Sequence, residues 1–587
     1  MNPPIVVDTE THLIAPYNQA PRIVSTAISR APGSVEVCRG SDVLADVVRE
    51  PRRFPGQLVG HNVAFDLACI GANRPEVLPK IFEAYEADRI TDTMIRQQLC
   101  DLGYGIGLGR PYDLASVRYR IDRVEVPKGA DTWRTRYAEL DGIDPSEWPE
   151  EAYRYAADDV VHPRVIYEAQ EKYPEWIGDQ HRQARAAFAL RLVACWGLVP
   201  NPERVQAWKV NVESEYRDLE ATLRGAGLLS PRGNRDTKRA RERLIEASVS
   251  EGFSLDPTAS GEVSLSADQC RKSHDPVLLA YARIGEVKAL LSKDLKILER
   301  PICHTRWGLA ASGRVTSTDP NIQNFGRGGG VRECFEAPPG YVFAIADYST
   351  LELRTLAQAQ IAIFGSSRLG EAISAGVDVH LDLASTLLGM SYAEALARYG
   401  AGDADVKRYR QIAKGANFGF PGGLGAGAMV GYVRASTGGR VVLSIDESRS
   451  LREAWLRRWD MDPYFRWVRS HTDHGRPITQ LYSGRVRGGC GFTDGANTLF
   501  QGLAADLAKH ALFQTVKACY VEGVDDRLLG CRVVNFVHDE IDLLVREDRA
   551  DEAGKALRAI MIEAGRVWCP DVPIDASVGS SRSLAKD

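Results

Sequence analysis

Apolar and polar positions switch between two periods along the 587-residue chain, and the switches divide it. The opening "PIVVDTE" is a short apolar strand that ends in acids, and the first ~175 residues, about one domain's length, mix strand and helix signals in an α/β pattern. From about 180 to 300 the pattern turns helical: "DQHRQARAAFALRLVACWG" and "VLLAYARIGEVKALLSKDLKIL" predict long helices around a basic stretch, "SPRGNRDTKRARERL". From about 301 strands return, at "YVFAIADY" and "VVNFVHDEIDLLV", with a mostly helical insertion between them. The second of these breaks its own pattern. His538, Asp539 and Glu540 stand between two apolar, β-prone runs with no turn glycine beside them.

Length and composition set the bounds. A chain of 587 residues is too long for one core and predicts three or four packed units. With 44% hydrophobic and 26% charged residues it falls among ordinary soluble globular proteins. The net charge of -5 identifies no partner, because nucleic-acid binding depends on where Lys and Arg cluster and not on their sum. Eleven cysteines with no C-x-x-C pair argue against a zinc ribbon or a disulfide framework and for a reducing cytosol. No signal segment and no run near the ~18 apolar residues of a membrane span is present, so a soluble, unprocessed, cytoplasmic chain without a membrane partner is expected. The glycine-rich loops "FGRGGG" and "PGGLGAG" lack the P-loop pattern, and "GYGIGLG" has the wrong spacing for a dinucleotide fingerprint.

Two acidic sets carry candidate chemistry. In "VVDTE", Asp8 and Glu10 lie two residues apart on a strand and share a face; "HNVAFD" adds Asp66; "YAADD" puts Tyr155 and Asp159 one helical turn apart. Singly, each acid is explained as a solvated strand end or a helix cap. Together they form an oxygen-only set suited to Mg²⁺, with Mn²⁺ as substitute, and a pair of such ions about 4 Å apart can drive phosphodiester cleavage. The second set starts in "YVFAIADYSTLELRTLA", a strand ending at Asp347 beside the Tyr348 carbonyl, followed by a helix. If the "VHDE" hairpin lies next to it, Asp347 and Asp539 clamp cations, because burying neighbouring carboxylates without one is costly. A polar hairpin turn is the alternative for the triplet alone. In "KRYRQIAKGANF", Lys407, Arg410, Lys414 and Phe418 fall on one helical stripe, which is either a solvated basic face or a triphosphate clamp.

In this order the motifs resemble a known family. D-x-E, H-N-x-x-x-D and Y-x-x-x-D, with "TDTM" and "KGADTWRTRYAELDG", resemble the DEDDy 3′–5′ proofreading exonucleases fused to family A DNA polymerases. "DYSTLELR", "RQIAKGANFG" and "VHDE" resemble polymerase motifs A, B and C, and "SGRVTSTDPNIQN" and "NTLFQGLAAD" match further blocks. The resemblance implies a multidomain α/β and α+β fold: an RNase H-like exonuclease domain (1–178), thumb (179–300), palm (301–365 and 490–587) and fingers (366–489). It implies Asp8, Glu10, Asp66 and Asp159 as exonuclease metal ligands, with Tyr155 orienting water, and Asp347, Tyr348 and Asp539, beside Glu540, at a polymerase centre with two Mg²⁺ ions. Arg410 and Lys414 would hold the dNTP phosphates, Lys414 also as general acid, with His380 as a further phosphate contact and Phe418 against the sugar. Glu352 would exclude a ribose 2′-hydroxyl, although Ser349-x-x-Glu352 also fits a capping box. Primer–template DNA would meet Arg232, Arg235, Lys238 and Arg239 of the thumb and Arg314, Gln323, Asn324, Asn497, Gln501 and His538 near the primer end. A monomer is expected, and nothing in the sequence specifies a processivity factor, helicase or primase. The lack of a segment before the exonuclease strand suggests a compact bacteriophage replicative enzyme.

Two rival readings are weaker. A single-subunit RNA polymerase shares the basic helix and paired aspartates but not the exonuclease set or Glu352, and a catalytically dead DNA-binding factor would not retain every metal carboxylate. The chain also departs from the family: Gly422 stands where motif B usually has a tyrosine, and "NFGFPGG" predicts that the helix stops within about one turn of Phe418. Phe420 is then the expected aromatic at the template side.

Overall fold

The computed structural model describes residues 3–127, 132–230, 232–258, 261–326, 328–437 and 441–585. Its first sheet follows from the alternation in "PIVVDTE". β1 (Ile5–Thr11), β2 (Ile23–Ser29), β3 (Glu36–Arg39), β4 (Leu58–Gly60) and β5 (Ile90–Asp92) lie in the order β3-β2-β1-β4-β5. The β1–β2–β3 pairs are antiparallel, and β4 and β5 extend the sheet in parallel. Ile5 and Val7 join the core on the side of α1 (Val63–Asn73), whereas Val6 packs with Ala152, Ala156 and Val160 of α2 (Glu150–Gln170). By the two-residue period of a strand, Asp8 and Glu10 share the face of Val6, toward α2.

α3 (Gln180–Trp196) then carries the chain out of this unit, and its Phe188 ring sits 5.4 Å from that of Phe82. A helical unit follows. α4 (Pro202–Gly225) starts at Asn201, whose side chain caps the amides of Glu203 and Arg204; α5 (Thr237–Glu251) and α6 (Pro276–Ala289) pack with it around Leu223, Leu244 and Leu278. The predicted long helix continues beyond α6 through one wider π-type turn, Leu290–Asp294.

The ribbon β6 (Arg306–Leu309) and β7 (Val315–Thr318) precedes β8 (Tyr341–Tyr348) and α7 (Leu351–Phe364). The helical insertion contains α8 (Val379–Leu388), α9 (Ala404–Gly419) and α10 (Ile445–Trp459). The short ribbon β9 (Ile478–Thr479) and β10 (Val486–Arg487) leads to α11 (Phe492–Tyr520), then β11 (Arg532–Val537), β12 (Glu540–Arg546), α12 (Ala550–Trp568) and β13 (Ala576–Ser581). The second sheet has the order β11-β12-β8-β13 and is antiparallel throughout. Ala344, Ala346, Ile541 and Leu543 face α11 and α12 in the core, so Asp347 and Glu540 point to the opposite face.

Charge is also buried where these parts meet. Arg485 Nη1 donates to Asp179 Oδ2 at 2.8 Å and to Asp506 Oδ1 at 2.6 Å, and Lys509 Nζ donates to Gln183 Oε1 at 2.7 Å and to the Gly313 carbonyl at 2.8 Å. This network ties the start of α3 and the middle of α11 to the loop that carries Arg314. Paired in this way, ions can sit in a core that would reject them singly.

Candidate active sites

The first acidic set converges. Ligand oxygens of Asp8, Glu10 and Asp159 all lie within 4.8 Å of one another. Asp66 comes from α1, and its Oδ1 accepts from the Thr9 amide at 3.1 Å and from the Thr9 hydroxyl. Burial, followed by the charges of Asp66, Asp159 and Glu10, pushes the Asp8 carboxyl well above its usual range. Burial raises Asp66 to about 7 against the pull of the Thr9 hydrogen bonds. Glu10 Oε1 is buried with no hydrogen-bond partner among the described residues. An all-oxygen set with crowded charge and an orphaned oxygen fits a hard divalent cation. Tyr155 lies one turn before Asp159 on α2, where burial, and then the charges of Asp159, Glu10 and Asp8, raise its phenol. Sequence reasoning missed Arg134, whose charge lowers Glu10 and which lines the cleft between this unit and β6; the "DTWRTRY" stretch was its only signal. Residues 128–131, which include the first residue of that stretch, and Arg327 of the first glycine-rich loop lie outside the described residues.

The second set also assembles. Glu540 pairs directly with Asp347 across β12 and β8, and His538 and Asp539 form the two-residue turn between β11 and β12. His538 takes φ 60, a left-handed conformation that a non-glycine residue adopts at a cost and that is common at functional sites. Burial and the charge of Asp347 push Asp539 up to about 7, while Arg314 pulls it down. Burial and the nearby Arg314 cation lower His538. The Tyr348 ring is buried with its hydroxyl donating to the Met561 carbonyl at 2.7 Å, so only its backbone can face the site.

Glu352 does not cap a helix. α7 starts after Thr350, which is left-handed and makes no side-chain cap, and the Glu352 carboxylate accepts from the Arg314 guanidinium and from Gln501 Nε2 at 3.5 Å. The capping-box explanation therefore fails. Gln501 and Asn497 stand one turn apart on α11; Asn497 Oδ1 lies 3.0 Å from where a side chain on Gly422 would begin.

The basic stripe is in place on α9, with Lys414 exposed and Phe418 half-buried. Arg410 is not bare: its Nε donates to Asp378 Oδ2 at 2.8 Å, an acid that the helix pattern could not reveal because it caps the neighbouring α8. His380 is buried at 4% exposure, and its ring centroid is 5.6 Å from that of Phe418. α9 ends at Gly419, followed by a 3₁₀ turn Phe420–Gly422 and left-handed Gly423 at φ 86, as Pro421 predicts. Phe420 is a correction. Its ring is 1% exposed and packs on Trp455 at 5.4 Å, inside the core of the insertion, so it cannot stack at a template base. Phe420→Ala is accordingly expected to cost roughly 3–5 kcal/mol of stability, seen as a lowered denaturation midpoint, instead of raised misinsertion.

Among the expected DNA contacts, Lys238, Arg232 and Asn324 are exposed. Arg239 is exposed too and donates weakly to the Gly227 carbonyl at 3.4 Å. Arg235 lies over the Tyr281 ring at 4.8 Å, and Gln323 is buried with its amide on the Phe536 carbonyl at 3.2 Å. Both therefore have structural work: Arg235 keeps an exposed edge, whereas Gln323 holds β11.

Residues 262–438 match the family model described as DNA polymerase family A, a segment that includes Asp347, Glu352, His380, Arg410, Lys414 and Phe418. DNA polymerase I of Aquifex aeolicus is 30% identical over 280 residues, covering 47% of this chain and 45% of the relative. The thermostable DNA polymerase I of Thermus thermophilus is 27% identical over 434 residues, 69% of this chain and 48% of that protein. The chain thus spans less than half the length of these relatives. The solved polymerase domain of Pol1 from M. smegmatis, in complex with DNA primer–template and dNTP, has a TM-score of 0.70 at 19% identity, covers 99% of this chain and 95% of that one, and shares its fold. Over residues 262–438, and along the stretches aligned with these relatives, the chain is thus similar to DNA polymerase family A.

Proposed function

We propose that this chain is a template-directed DNA polymerase that extends a primer with dNTPs and carries a separate 3′–5′ exonuclease site. The observation that carries the polymerase reading is the register that sets Asp347 against Glu540, with Asp539 in the adjoining turn. In this reading residues 1–178 are an RNase H-like exonuclease unit, which the β3-β2-β1-β4-β5 order supports; 179–300 are the thumb, 301–365 and 490–587 the palm, and 366–489 the fingers.

Asp347, the Tyr348 carbonyl and Asp539 would hold Mg²⁺ or Mn²⁺ in the palm, and Asp8, Glu10, Asp66 and Asp159 would do so in the exonuclease. Bound there, such ions neutralise the carboxylates, activate the attacking oxygen and stabilise charge on the phosphoryl group. The remaining steps fall to the side chains. Arg410, Lys414 and His380 bind the triphosphate, and Lys414 Nζ donates a proton to the leaving pyrophosphate. Phe418 packs against the sugar. Asp378 has to share Arg410 with the phosphates, which tunes that arginine's grip. Exposed Lys238 and Arg232 and the edge of Arg235 hold the duplex through its backbone, which gives affinity without sequence preference. At the other site the Tyr155 hydroxyl orients the water that attacks the terminal phosphodiester.

Sugar choice tests the reading. Glu352, fixed by Arg314 and Gln501, forms a rigid wall in the palm, and Glu352→Ala is expected to raise ribonucleotide incorporation relative to deoxyribonucleotide by about tenfold or more, about 1.4 kcal/mol. Single-turnover incorporation of dNTP against rNTP measures it. A wild-type preference for rNTPs would instead support an RNA polymerase.

A further inference from the structure

The amide of Asn417 is buried between two indoles and an imidazole. Trp455 and Trp459, one turn apart on α10, each donate an indole N–H to Asn417 Oδ1 at 3.0 Å. Indole nitrogen can only donate, so the atom between the two rings must be the amide oxygen. The amide nitrogen then points the other way, to the Val379 carbonyl at 3.2 Å and to His380 Nδ1 at 3.0 Å. It too can only donate. His380 Nδ1 must therefore be bare, and the neutral ring carries its proton on Nε2.

We propose that Asn417 is a positioning residue that locks His380 as the Nε2–H tautomer, giving the ring one fixed N–H donor for the triphosphate of the incoming nucleotide. The proposal rests on the reading of α8 and α9 as the nucleotide site. The lock has no slack, because both faces of the amide are engaged and all four side chains are buried: Asn417 at 0%, Trp455 and Trp459 at 1%, His380 at 4% exposure. A proton on Nδ1 would set N–H against N–H. Burial and the cations Arg410 and Lys414, against Asp378, lower His380 to about 4, in keeping with a neutral ring. The ring stands beside Phe418, so its donor belongs to the basic and aromatic stripe.

The test has a spectroscopic and a kinetic arm on the full chain. In ¹⁵N-histidine-labelled protein, with the His380 signals assigned by their loss in His380→Gln, the wild type is expected to show a bare Nδ1 and a protonated Nε2. A protonated Nδ1 in the wild type would overturn the assignment. Trp455→Phe with Trp459→Phe removes both locking donors but keeps Asn417 and His380. The dNTP KM is expected to rise about tenfold with kcat changed much less, and the same pair of substitutions is expected to have no effect on KM in a His380→Ala background. An equal KM effect in both backgrounds would reduce Asn417 to a packing role and sink the proposal. Absence of any dNTP incorporation by the wild type would overturn the functional reading instead, and the histidine spectrum would still decide the tautomer.

Discussion

Asp539→Ala is expected to lose primer extension by at least about 10³-fold and to keep primer degradation. Asp539 occupies the tight turn between β11 and β12, its carboxyl raised to about 7 by burial and by Asp347, so its charge is tolerated only where a cation offsets it. Removing such a ligand takes away several kcal/mol of transition-state stabilisation, and about 4 kcal/mol corresponds to 10³ in rate. Asp539→Asn, which preserves shape, should lose as much. Extension within tenfold of wild type for either variant would show that the pair does not serve catalysis.

The mirror result is expected at the other end of the chain, where Asp8→Asn loses primer degradation by a similar factor and keeps extension. It should also stabilise the metal-free protein. Burial and like charge raise Asp8 and Glu10 above their usual range and Asp66 to about 7. Carboxyls whose folded pKa exceeds an unfolded value near 4 bind protons more tightly when folded, so their contribution to stability falls as pH rises from about 4 to about 7. Above that window the crowded negative charge is fully unfavourable, and neutralising Asp8 relieves it. In EDTA at pH 8 the Asp8→Asn midpoint should exceed that of the wild type, with added Mg²⁺ narrowing the gap. A lower midpoint would mean that the carboxylates are paired with protein cations and need no metal.

Much of this site was legible because strands and helices expose their periods. "PIVVDTE" placed Asp8 and Glu10 on one face, and the structure adds that the face is the one covered by α2, which carries Asp159. What the sequence hid is long-range. Arg485 meets Asp179 across 306 positions, and nothing local distinguishes a charge that will be buried in such a pair from one that will be solvated. Asp378 reaches Arg410 from another helix for the same reason. Phe420 shows a different limit: the helix stop at Pro421 is local chemistry, but the direction of the preceding ring depends on where Trp455 packs. Glu352 likewise fits a capping pattern, yet Arg314, 38 positions away, claims its carboxylate.

The central claim, two separate carboxylate centres acting oppositely on one primer end, is tested most directly by a 5′-labelled primer on a longer template with Mg²⁺. With all four dNTPs the primer should lengthen to the template end, and without dNTPs it should shorten from its 3′ end, both changes stopping in EDTA. A primer unchanged in length under both conditions would contradict the account.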